Sequence, residues 1–422
     1  MQLRRVSALL VAGAVVATAC SSTSVDERPV IEVFGTFREA DAQNFGATVE
    51  PFEEEHGVEV RYVGSGSFEQ EIRQRIADAD YPDIALFPQP ALLTEFAAQG
   101  LVRPLSAETA AAQQAAYGDN VVATFDGDLY GVWFKASVKS LVWYRSDTFA
   151  ARGYKIPGSW SDLVQLTEQI EANGTTPWCL SMESFTQSGW VGTDWIEDIV
   201  LRQQGSDFYD DWVDGAVSFE DDAIVAALET FGDVVHTPGR VAGGVNRILN
   251  TPWQRAQDPM FDEEPGCLMH RQASFQEVHL PESAVLGENT DVFPLPSIDG
   301  SEPPVLVAGN LAAAFDDRPD VALLMEFLGT PEAGRVWASM GGFTSPHPDF
   351  QTEWYTSEFD RRIGEVLRKA RTVRFDGSDL MTPAVGTGTF WSGMLTFVRT
   401  ANARATAAEI QAGYPGAEPF EE

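Results

Sequence analysis

The stretch LYGVWFKASVKSLVWYRSD, Leu129–Asp147, sets the organisation of the whole chain. It contains two apolar, aromatic-rich runs, Leu129–Phe134 and Leu141–Tyr144. Short runs of this composition are typical of β-strands. The segment between them, Lys135–Ser140, carries two lysines, so we expect it to be exposed. Two strands joined by an uncovered segment predict a chain that leaves one domain and enters another. An ordinary hairpin inside one domain is the alternative.

Upstream of this stretch, strand patterns alternate with helix patterns. Apolar runs predict strands at Val30–Phe34, Val58–Val63 and Asp83–Phe87, and helical periodicity covers Ala40–His56 and Ser67–Ala79. This alternation predicts βαβ units and a largely parallel sheet. Ligands of such sheets meet the loops beyond the carboxyl ends of the strands. Those loops are Gly35–Glu39, Gly64–Ser67 and Pro88–Pro90.

The chain is too long for one compact core, because 422 residues exceed the size at which single cores stop growing. We expect an α/β fold of two lobes joined by three crossings, near residues 136–141, 296–305 and 343–350. Lobe 1 is predicted to comprise residues 29–137 and 305–344. Lobe 2 is predicted to comprise residues 138–304 and 345–422.

The N-terminus has the pattern of an export signal. Arg4 and Arg5 precede an apolar segment, Val6–Val16, that is too short to span a membrane, and small residues then lead to Cys20. This order resembles a bacterial lipoprotein signal, so residues 1–19 are predicted to be removed and Cys20 lipidated, with residues 20–28 as a tether. A plain signal peptide with an incidental cysteine is the alternative. Both place the protein outside the cytoplasm, and lipidation would anchor it to the cell membrane.

Charge and cysteine usage narrow the possible partners. Removing residues 1–19 takes away two arginines and no acid, so the formal net charge of −35 becomes −37. This acidity excludes nucleic acid as a reasonable partner and disfavours an anionic ligand. Cys179 and Cys267 remain as an even pair in an oxidising compartment, which predicts a disulfide. Neither has nearby CxxC or histidine spacing, so no metal site is expected.

Several segments resemble the extracellular sugar-binding proteins of bacterial ABC importers, and in particular their α-glucoside-binding group. The matching segments are Tyr130–Val132, Ser140–Tyr144, Asp147, Pro157–Leu163, Thr176–Cys179, Gly189–Asp198 and Cys267–Phe275. Two positions depart from the family pattern: Val191 replaces a proline, and Asn310 stands where an aspartate is common. The resemblance implies a two-lobe periplasmic-binding-protein type II fold with an interlobe cleft. It also implies a monomer without cofactor or enzymatic activity that delivers a neutral di- or oligosaccharide to an importer permease.

A pyranose has an apolar face and a ring of hydroxyls, so its site needs aromatic rings together with carboxylate, amide or arginine partners. On lobe 1 the predicted ligand-binding residues are Thr36, Phe37, Glu39, Phe87 and Gln89. On lobe 2 they are Glu183, Phe185, Trp190, Asp194, Trp195, Arg271 and Gln272, and the resemblance adds Trp391 as a stacking tryptophan.

Each candidate has a structural alternative. Trp195 is equally compatible with a core position, Asp194 with a helix first turn, and Glu39 with a helix start. The sequence does not decide whether Phe87 and Phe185 lie in the core or in the cleft. Trp391 can simply pack against the helix that follows it.

Two other functions compete with sugar transport. An extracellular glycoside hydrolase also uses acids and tryptophans. However, the acids of the DWIED segment, residues 194–198, are spread around a helix axis instead of forming a strand-borne pair. A sugar sensor that presents its closed form to a receptor is the second alternative, and the sequence does not separate it from a transport protein.

Overall fold

In the computed structural model, the chain is described over residues 28–118, 123–298 and 300–414. The predicted signal, Cys20 and most of the tether lie outside these residues. The chain forms an α/β fold of two lobes, as predicted. Its strands are β1 (Val30–Gly35), β2 (Glu59–Gly64), β3 (Ile84–Phe87), β4 (Thr124–Phe125), β5 (Asp128–Leu129), β6 (Val132–Val138), β7 (Leu141–Tyr144), β8 (Met269–Arg271), β9 (Asp291–Pro294), β10 (Val305–Ala314) and β11 (Val373–Phe375).

The helices cover both faces of the strands. They are α1 (Glu39–His56), α2 (Phe68–Ala77), α3 (Pro90–Ala98), α4 (Ala107–Tyr117), α5 (Ser146–Arg152), α6 (Trp160–Ala172), α7 (Trp190–Gln204), α8 (Ser206–Val213), α9 (Asp222–Val235), α10 (Gly244–Asn250), α11 (Pro319–Leu328), α12 (Arg335–Met340), α13 (Glu358–Lys369), α14 (Gly377–Leu380), α15 (Trp391–Thr400) and α16 (Ala403–Gln411). No helix in the described part of the chain is long and apolar enough to cross a membrane.

Lobe 1 is built on a six-stranded sheet in which β10 is the central strand. The order is β11-β10-β3-β1-β2, and β6 pairs with the other edge of β10. The strands β2, β1 and β3 are parallel, as the βαβ pattern predicted, whereas β10 runs antiparallel to β3 and β6. The carboxyl ends of β1 and β3 therefore present Thr36 and Gln89 at the same edge of the sheet.

Lobe 2 contains a separate three-stranded sheet in the order β8-β7-β9. Because β6 belongs to the large sheet and β7 to the small one, the chain changes sheets between Val138 and Leu141. The hairpin alternative for this stretch does not apply. The exact lobe bounds that the sequence suggests stay predictions.

The segment between the two strands is buried, which corrects the expectation that it is exposed. Lys135 and Lys139 are each only 5% exposed and Ser140 is 1% exposed. A buried ammonium group needs a charged partner. Lys135 lies 3.7 Å from Asp41, and Lys139 lies 2.8 Å from Asp194. The apolar-run pattern located the crossing, but the partners of its lysines are distant in the sequence.

A disulfide joins Cys179 and Cys267, whose Cα atoms are 5.6 Å apart. It ties the segment before α7 to the chain entering β8, and the backbone N–H of Cys179 donates to the carbonyl of Met269 at 2.7 Å. Both flanking segments are therefore held on one side of lobe 2, as the sequence predicted.

The sequence pattern near the C-terminus predicts one helix over Thr387–Ala412, but in the structure this segment is interrupted. A π-helical turn, Ala384–Phe390, runs into α15, which ends where Ala401 adopts a positive φ of 57°. The Asn402 side chain then caps α16 by accepting from the N–H of Ala405. Asparagine at an N-cap is a local signal for a new helix, so this break was visible in the sequence.

Candidate functional site

A cleft of about 280 Å³ lies between the two lobes. Its lobe 1 side is formed by the segments that follow β1 and β3 and by the facing strands β6 and β10. The residues from these elements that line it are Thr36, Phe37, Asp41, Pro88, Gln89, Lys135, Ser137, Ala308, Gly309 and Asn310. The amide of Asn310 donates to the hydroxyl of Thr36 at 3.2 Å, so the asparagine that departs from the family pattern is part of this polar wall.

Aromatic rings form the opposite wall. Trp190, at the start of α7, packs edge-on against Trp253 with ring centroids 5.1 Å apart, and Phe275 contacts both rings. Trp391, at the start of α15, adds a fourth ring and is 5% exposed. Flat rings opposite a polar wall suit a ligand with one apolar face and many hydroxyls.

Gly189 fixes the spacing of two of these rings. It adopts a φ of 112°, and a side chain at this position would collide with the main-chain carbonyl of Trp391. Positive φ is favoured by glycine because it has no Cβ. The glycine therefore allows the start of α7, with Trp190, to lie directly against the start of α15.

The floor of the cleft is charged. Lys139 projects from the first crossing, forms ion pairs with Asp194 and Asp376, and lies 5.2 Å from the ring centroid of Trp190. Asp376 also accepts from the hydroxyl of Ser378 at 2.8 Å and from the N–H of Asp379 at 3.1 Å. Lys139, Asp376, Ser378 and Asp379 all line the cleft.

Beneath the floor, one face of α7 carries a buried ionic network. Arg271 donates to Asp194 at 3.0 Å and through Nε to Asp198 at 3.1 Å, and none of these three side chains is exposed. Glu197, also on α7, accepts from the N–H groups of Gly377 and Ser378. The network therefore fastens the cleft-floor segment to lobe 2.

The same network holds the second crossing. Arg202 is fully buried and donates to the carbonyls of Leu295, Pro296 and Pro304, while its Nη1 reaches Asp198 at 2.6 Å. One guanidinium group thus binds both ends of the second crossing, where the chain leaves lobe 2 and where it is about to enter β10. A guanidinium has five N–H donors in a fixed fork, which suits this use.

The first crossing is tied to the same point. Ser140 donates its hydroxyl proton to Asp198 at 2.6 Å and accepts from the N–H of Leu306 at 2.8 Å. The N–H of Leu295 donates to the carbonyl of Ser140 at 2.9 Å. Two crossings therefore converge on Asp198.

The protonation of these acids follows from their partners. Burial alone would raise the pKa of Asp198, but Arg202 and Arg271 together lower it. Burial likewise opposes ionisation of Asp376, whose pKa is nevertheless lowered by Lys139. Burial raises the pKa of Asp194 to about 6, against the attraction of Lys139.

Glu197 and Asp379 have no ion pair with a cation in the described part of the chain. Burial, reinforced by the nearby charge of Asp376, raises the pKa of both carboxyls well above their ordinary values. Both acids are therefore expected to hold a proton when the three better-paired acids are ionised.

Asp194, Glu197 and Asp376 together have the donor set of a small metal site, because one oxygen from each lies within 4.8 Å of the others. The ammonium group of Lys139, however, is paired with two of the three carboxylates. Lysine supplies the positive charge that a metal ion would otherwise bring, and we assign no metal to this cluster.

Five of the predicted ligand-binding residues come together at the cleft: Thr36, Phe37, Gln89, Trp190 and Trp391. They include residues from both lobes. Their roles as sugar contacts stay predictions.

The other eight are not among the residues that line the cleft, and we propose no direct sugar contact for them. Phe87 and Trp195 are core residues, packed on Phe68 and Trp178 respectively. Asp194 and Arg271 neutralise one another in the buried network, and Gln272 is fully buried, with its oxygen accepting from the N–H of Ala273. Glu39 is exposed at the first position of α1, Glu183 accepts from the N–H of Phe185, and Phe185 is 88% exposed.

Several residues that line the cleft were not predicted from the sequence, above all Trp253, Phe275, Lys135, Lys139 and Asp379. Phe275 is the last residue of the segment Cys267–Phe275, in which only Arg271 and Gln272 were predicted to bind the ligand. Trp253 lies in a segment, residues 238–261, without periodicity, so no pattern pointed to it. The lysines were assigned to an exposed segment.

The sequence model of the family described as bacterial extracellular solute-binding protein matches residues 34–246. The chain is 37% identical to the osmoprotective compounds-binding protein of Synechocystis over 96% of this chain and 98% of that protein. It is also 37% identical to the alpha-glucosides-binding periplasmic protein of Rhizobium meliloti, over 90% of this chain and 86% of that protein.

Among solved structures, the bacterial solute receptor AcbH, which prefers β-D-galactopyranose, aligns with a TM-score of 0.75 at 16% identity. The alignment covers 92% of this chain and 97% of that one. At this identity the similarity concerns the fold alone. The family match and the two relatives carry the assignment: the chain belongs to the bacterial extracellular solute-binding proteins of ABC sugar importers and acts outside the cytoplasm.

Proposed function

We propose that this protein captures a neutral disaccharide, an α-glucoside in the first instance, and delivers it to the permease of an ABC importer. The observation that carries the proposal is the cleft itself. Rings of Trp190, Trp253 and Trp391 face the polar side chains of Thr36 and Asn310 across the two lobes. The relative from Rhizobium meliloti, which binds alpha-glucosides, supports the sugar class.

The size of the cleft favours a small sugar. Its volume of about 280 Å³ lies just below the range of about 300 to 1,000 Å³ that is usual for ligand pockets. A long oligosaccharide would leave most of its length outside. We therefore narrow the predicted di- or oligosaccharide to a disaccharide.

The charges of the cleft favour a neutral ligand. Lys135 is paired with Asp41, and Lys139 with Asp194 and Asp376. An added anion would compete with these carboxylates for each ammonium group. An added cation would compete with the ammonium groups for these carboxylates. Hydroxyls, in contrast, can use the spare lone pairs of the carboxylates without a change in net charge.

Calorimetry with maltose, trehalose and sucrose tests the proposal. Trp190→Ala should weaken binding of the preferred sugar by about 1–3 kcal/mol, or roughly ten- to a hundredfold, because it removes a stacking ring. Trp354→Ala is the matched control, since that tryptophan is partly buried against Phe350 and does not line the cleft. Glu39→Ala should also bind normally. Equal loss in Trp190→Ala and Trp354→Ala would show that the cleft is not the sugar site.

Catalysis is the competing hypothesis, because Asp376 and Asp379 are two acids of different protonation in a cleft. We propose binding instead, since Asp376 is already engaged by Lys139, Ser378 and the N–H of Asp379. Prolonged incubation with the bound sugar should release no monosaccharide. Release that disappears in Asp379→Asn would establish a hydrolase.

We further propose that Cys20 carries a lipid anchor. The support is the order of charged, apolar and small residues before it. The wild-type protein should sediment with membranes, and Cys20→Ser should be recovered in the soluble extracytoplasmic fraction. A wild-type protein found in that soluble fraction would show an ordinary export signal.

A further inference from the structure

A second pair of acids lies outside the network described above, at the rim of the cleft. Glu277 belongs to the 3₁₀ turn Ser274–His279, which follows β8, and Asp360 belongs to α13. Gly342 brings the two together: its N–H donates to Asp360, and a Cβ at Gly342 would lie 3.6 Å from the side chain of Val278, the neighbour of Glu277. A hydrogen bond between the two carboxyl groups contributes to the pKa shifts of both. In the described part of the chain no donor reaches Glu277 Oε2, although that oxygen is buried. Two carboxyl groups can form a hydrogen bond only if one of them carries a proton.

The pair lies at a junction between the lobes. Asp360 Oδ2 accepts from the N–H of Gly342 at 3.1 Å, just before the third crossing. Two residues further on, Thr344 accepts from the N–H of Ala136 on β6 at 2.9 Å. On the other side, Val278 adjoins Glu277 and lines the cleft. The acid pair therefore connects the third crossing to the lobe 2 rim of the cleft.

The local charge balance requires a proton. The charged and titratable groups that act on the pair from the neighbouring elements are Lys135 of β6, Tyr355 just before α13 and, through the lysine, Asp41 of α1. Lys135 is already within 3.7 Å of Asp41. If both members of the pair were ionised, three carboxylates would share one ammonium group in a largely buried place. Keeping one proton on the pair removes the excess charge.

We propose that Glu277 and Asp360 share one proton and act as positioning residues that hold the third crossing against the rim of the cleft, so that sugar affinity depends on pH. This proposal rests on the proposed function. Loss of the proton places two negative charges side by side, which pushes α13 and Gly342 away from the Ser274–His279 turn. Closure of the lobes over a sugar then costs more, and affinity falls.

The acid strengths agree with this geometry. Burial and then the charge of Asp360 raise the pKa of Glu277 to about 8. Burial also raises the pKa of Asp360. Burial lowers the pKa of Lys135 against the attraction of Asp41. The proton of the pair is therefore held at neutral pH and lost in mildly alkaline solution.

Binding of the preferred disaccharide, measured by calorimetry from pH 6.5 to 9, tests the proposal. The Kd of the wild-type protein should rise with pH, by up to about tenfold between pH 7 and 9, the limit for one proton lost with a pKa near 8. Glu277→Gln donates an N–H to Asp360 at every pH, so its Kd should stay nearly constant. Glu282→Gln, at an exposed glutamate of the same segment, is the control and should follow the wild type. A Kd with the same pH profile in wild type and Glu277→Gln would overturn the proposal.

A second measurement does not need a sugar. The free energy of unfolding of the wild type should fall as pH rises from about 4.5 to 8, relative to Glu277→Gln and to Asp360→Asn, since a raised folded-state pKa gives stability that is lost as the proton leaves. Unfolding free energies of the wild type and the variants that run parallel with pH would show that the pair does not share a proton. If no sugar binds at any pH, the proposed function fails, and these unfolding curves still decide the inference.

Discussion

Replacement of Lys139 by methionine tests whether the cleft floor depends on its central ammonium group. The side chain is 6% exposed and pairs with Asp194 and Asp376, which are themselves 0% and 1% exposed. Without it, Asp194 keeps Arg271, but Asp376 keeps only neutral donors, Ser378 Oγ and the N–H of Asp379. Removing one partner of a buried ion pair typically costs about 3–5 kcal/mol.

We therefore expect Lys139→Met to lower the free energy of unfolding by about 3–5 kcal/mol at pH 7.5, measured by urea denaturation followed through tryptophan fluorescence. The loss should shrink at pH 5, because Asp376 without its lysine takes up a proton more readily. The double variant Lys139→Met with Asp376→Asn should recover much of the loss, since it removes the unpaired charge.

Two results would refute this reasoning. If Lys139→Met is within about 1 kcal/mol of the wild type at pH 7.5, the ion pairs are not a stabilising element of the folded protein. If the double variant is no more stable than the single one, the loss comes from the contact of Lys139 with Trp190 or from packing. Arg335→Met, at a cation that lies over Trp354 and has no ion pair in the described part of the chain, is the control for loss of a cation–π contact alone.

Three further predictions concern other parts of the site. Gly189→Ala should lower stability and weaken sugar binding, because its positive φ and its contact with the Trp391 carbonyl exclude a side chain; denaturation and calorimetry check this. Reduction of the bond between Cys179 and Cys267 should lower the free energy of unfolding by up to about 4–5 kcal/mol, by loop entropy; melting with and without reductant measures it. Asp379→Asn should gain stability relative to the wild type as pH rises above about 4, because the raised pKa of Asp379 gives stability that is lost when its proton leaves.

The fold could be predicted from sequence because its signals are local. The strand and helix patterns before Gly100 agree with the structure to within about two residues, because apolar periodicity and turn residues act over a few positions. The crossing at Val138–Leu141 was found in the same way. The burial of Lys135 and Lys139 could not be found, since it depends on Asp41, Asp194 and Asp376, which are distant in the sequence.

The candidate site was predicted only in part, for a physical reason. Residues directly after parallel strands, Thr36 and Gln89, could be placed because strand ends meet at one edge of a sheet. For Arg271, the position in the sequence motif does not show whether the guanidinium group binds a ligand or acids of the protein. Its partners in the folded chain decide this. An arginine after a buried strand needs acids, and here α7 supplies them.

The network around α7 connects binding to closure. Lys139 belongs to the first crossing and also lines the cleft, and Arg202 holds the second crossing through the same acid, Asp198, that receives Ser140. A sugar that touches both lobes favours the closed state only by its differential affinity for that state. Rigid attachment of two crossings to α7 confines the movement of the lobes to a few arrangements. Because Trp190 begins the same helix, closure also moves that ring with the hinge. If Trp190 stacks on the sugar as proposed, contact with the sugar and the position of the lobes change together.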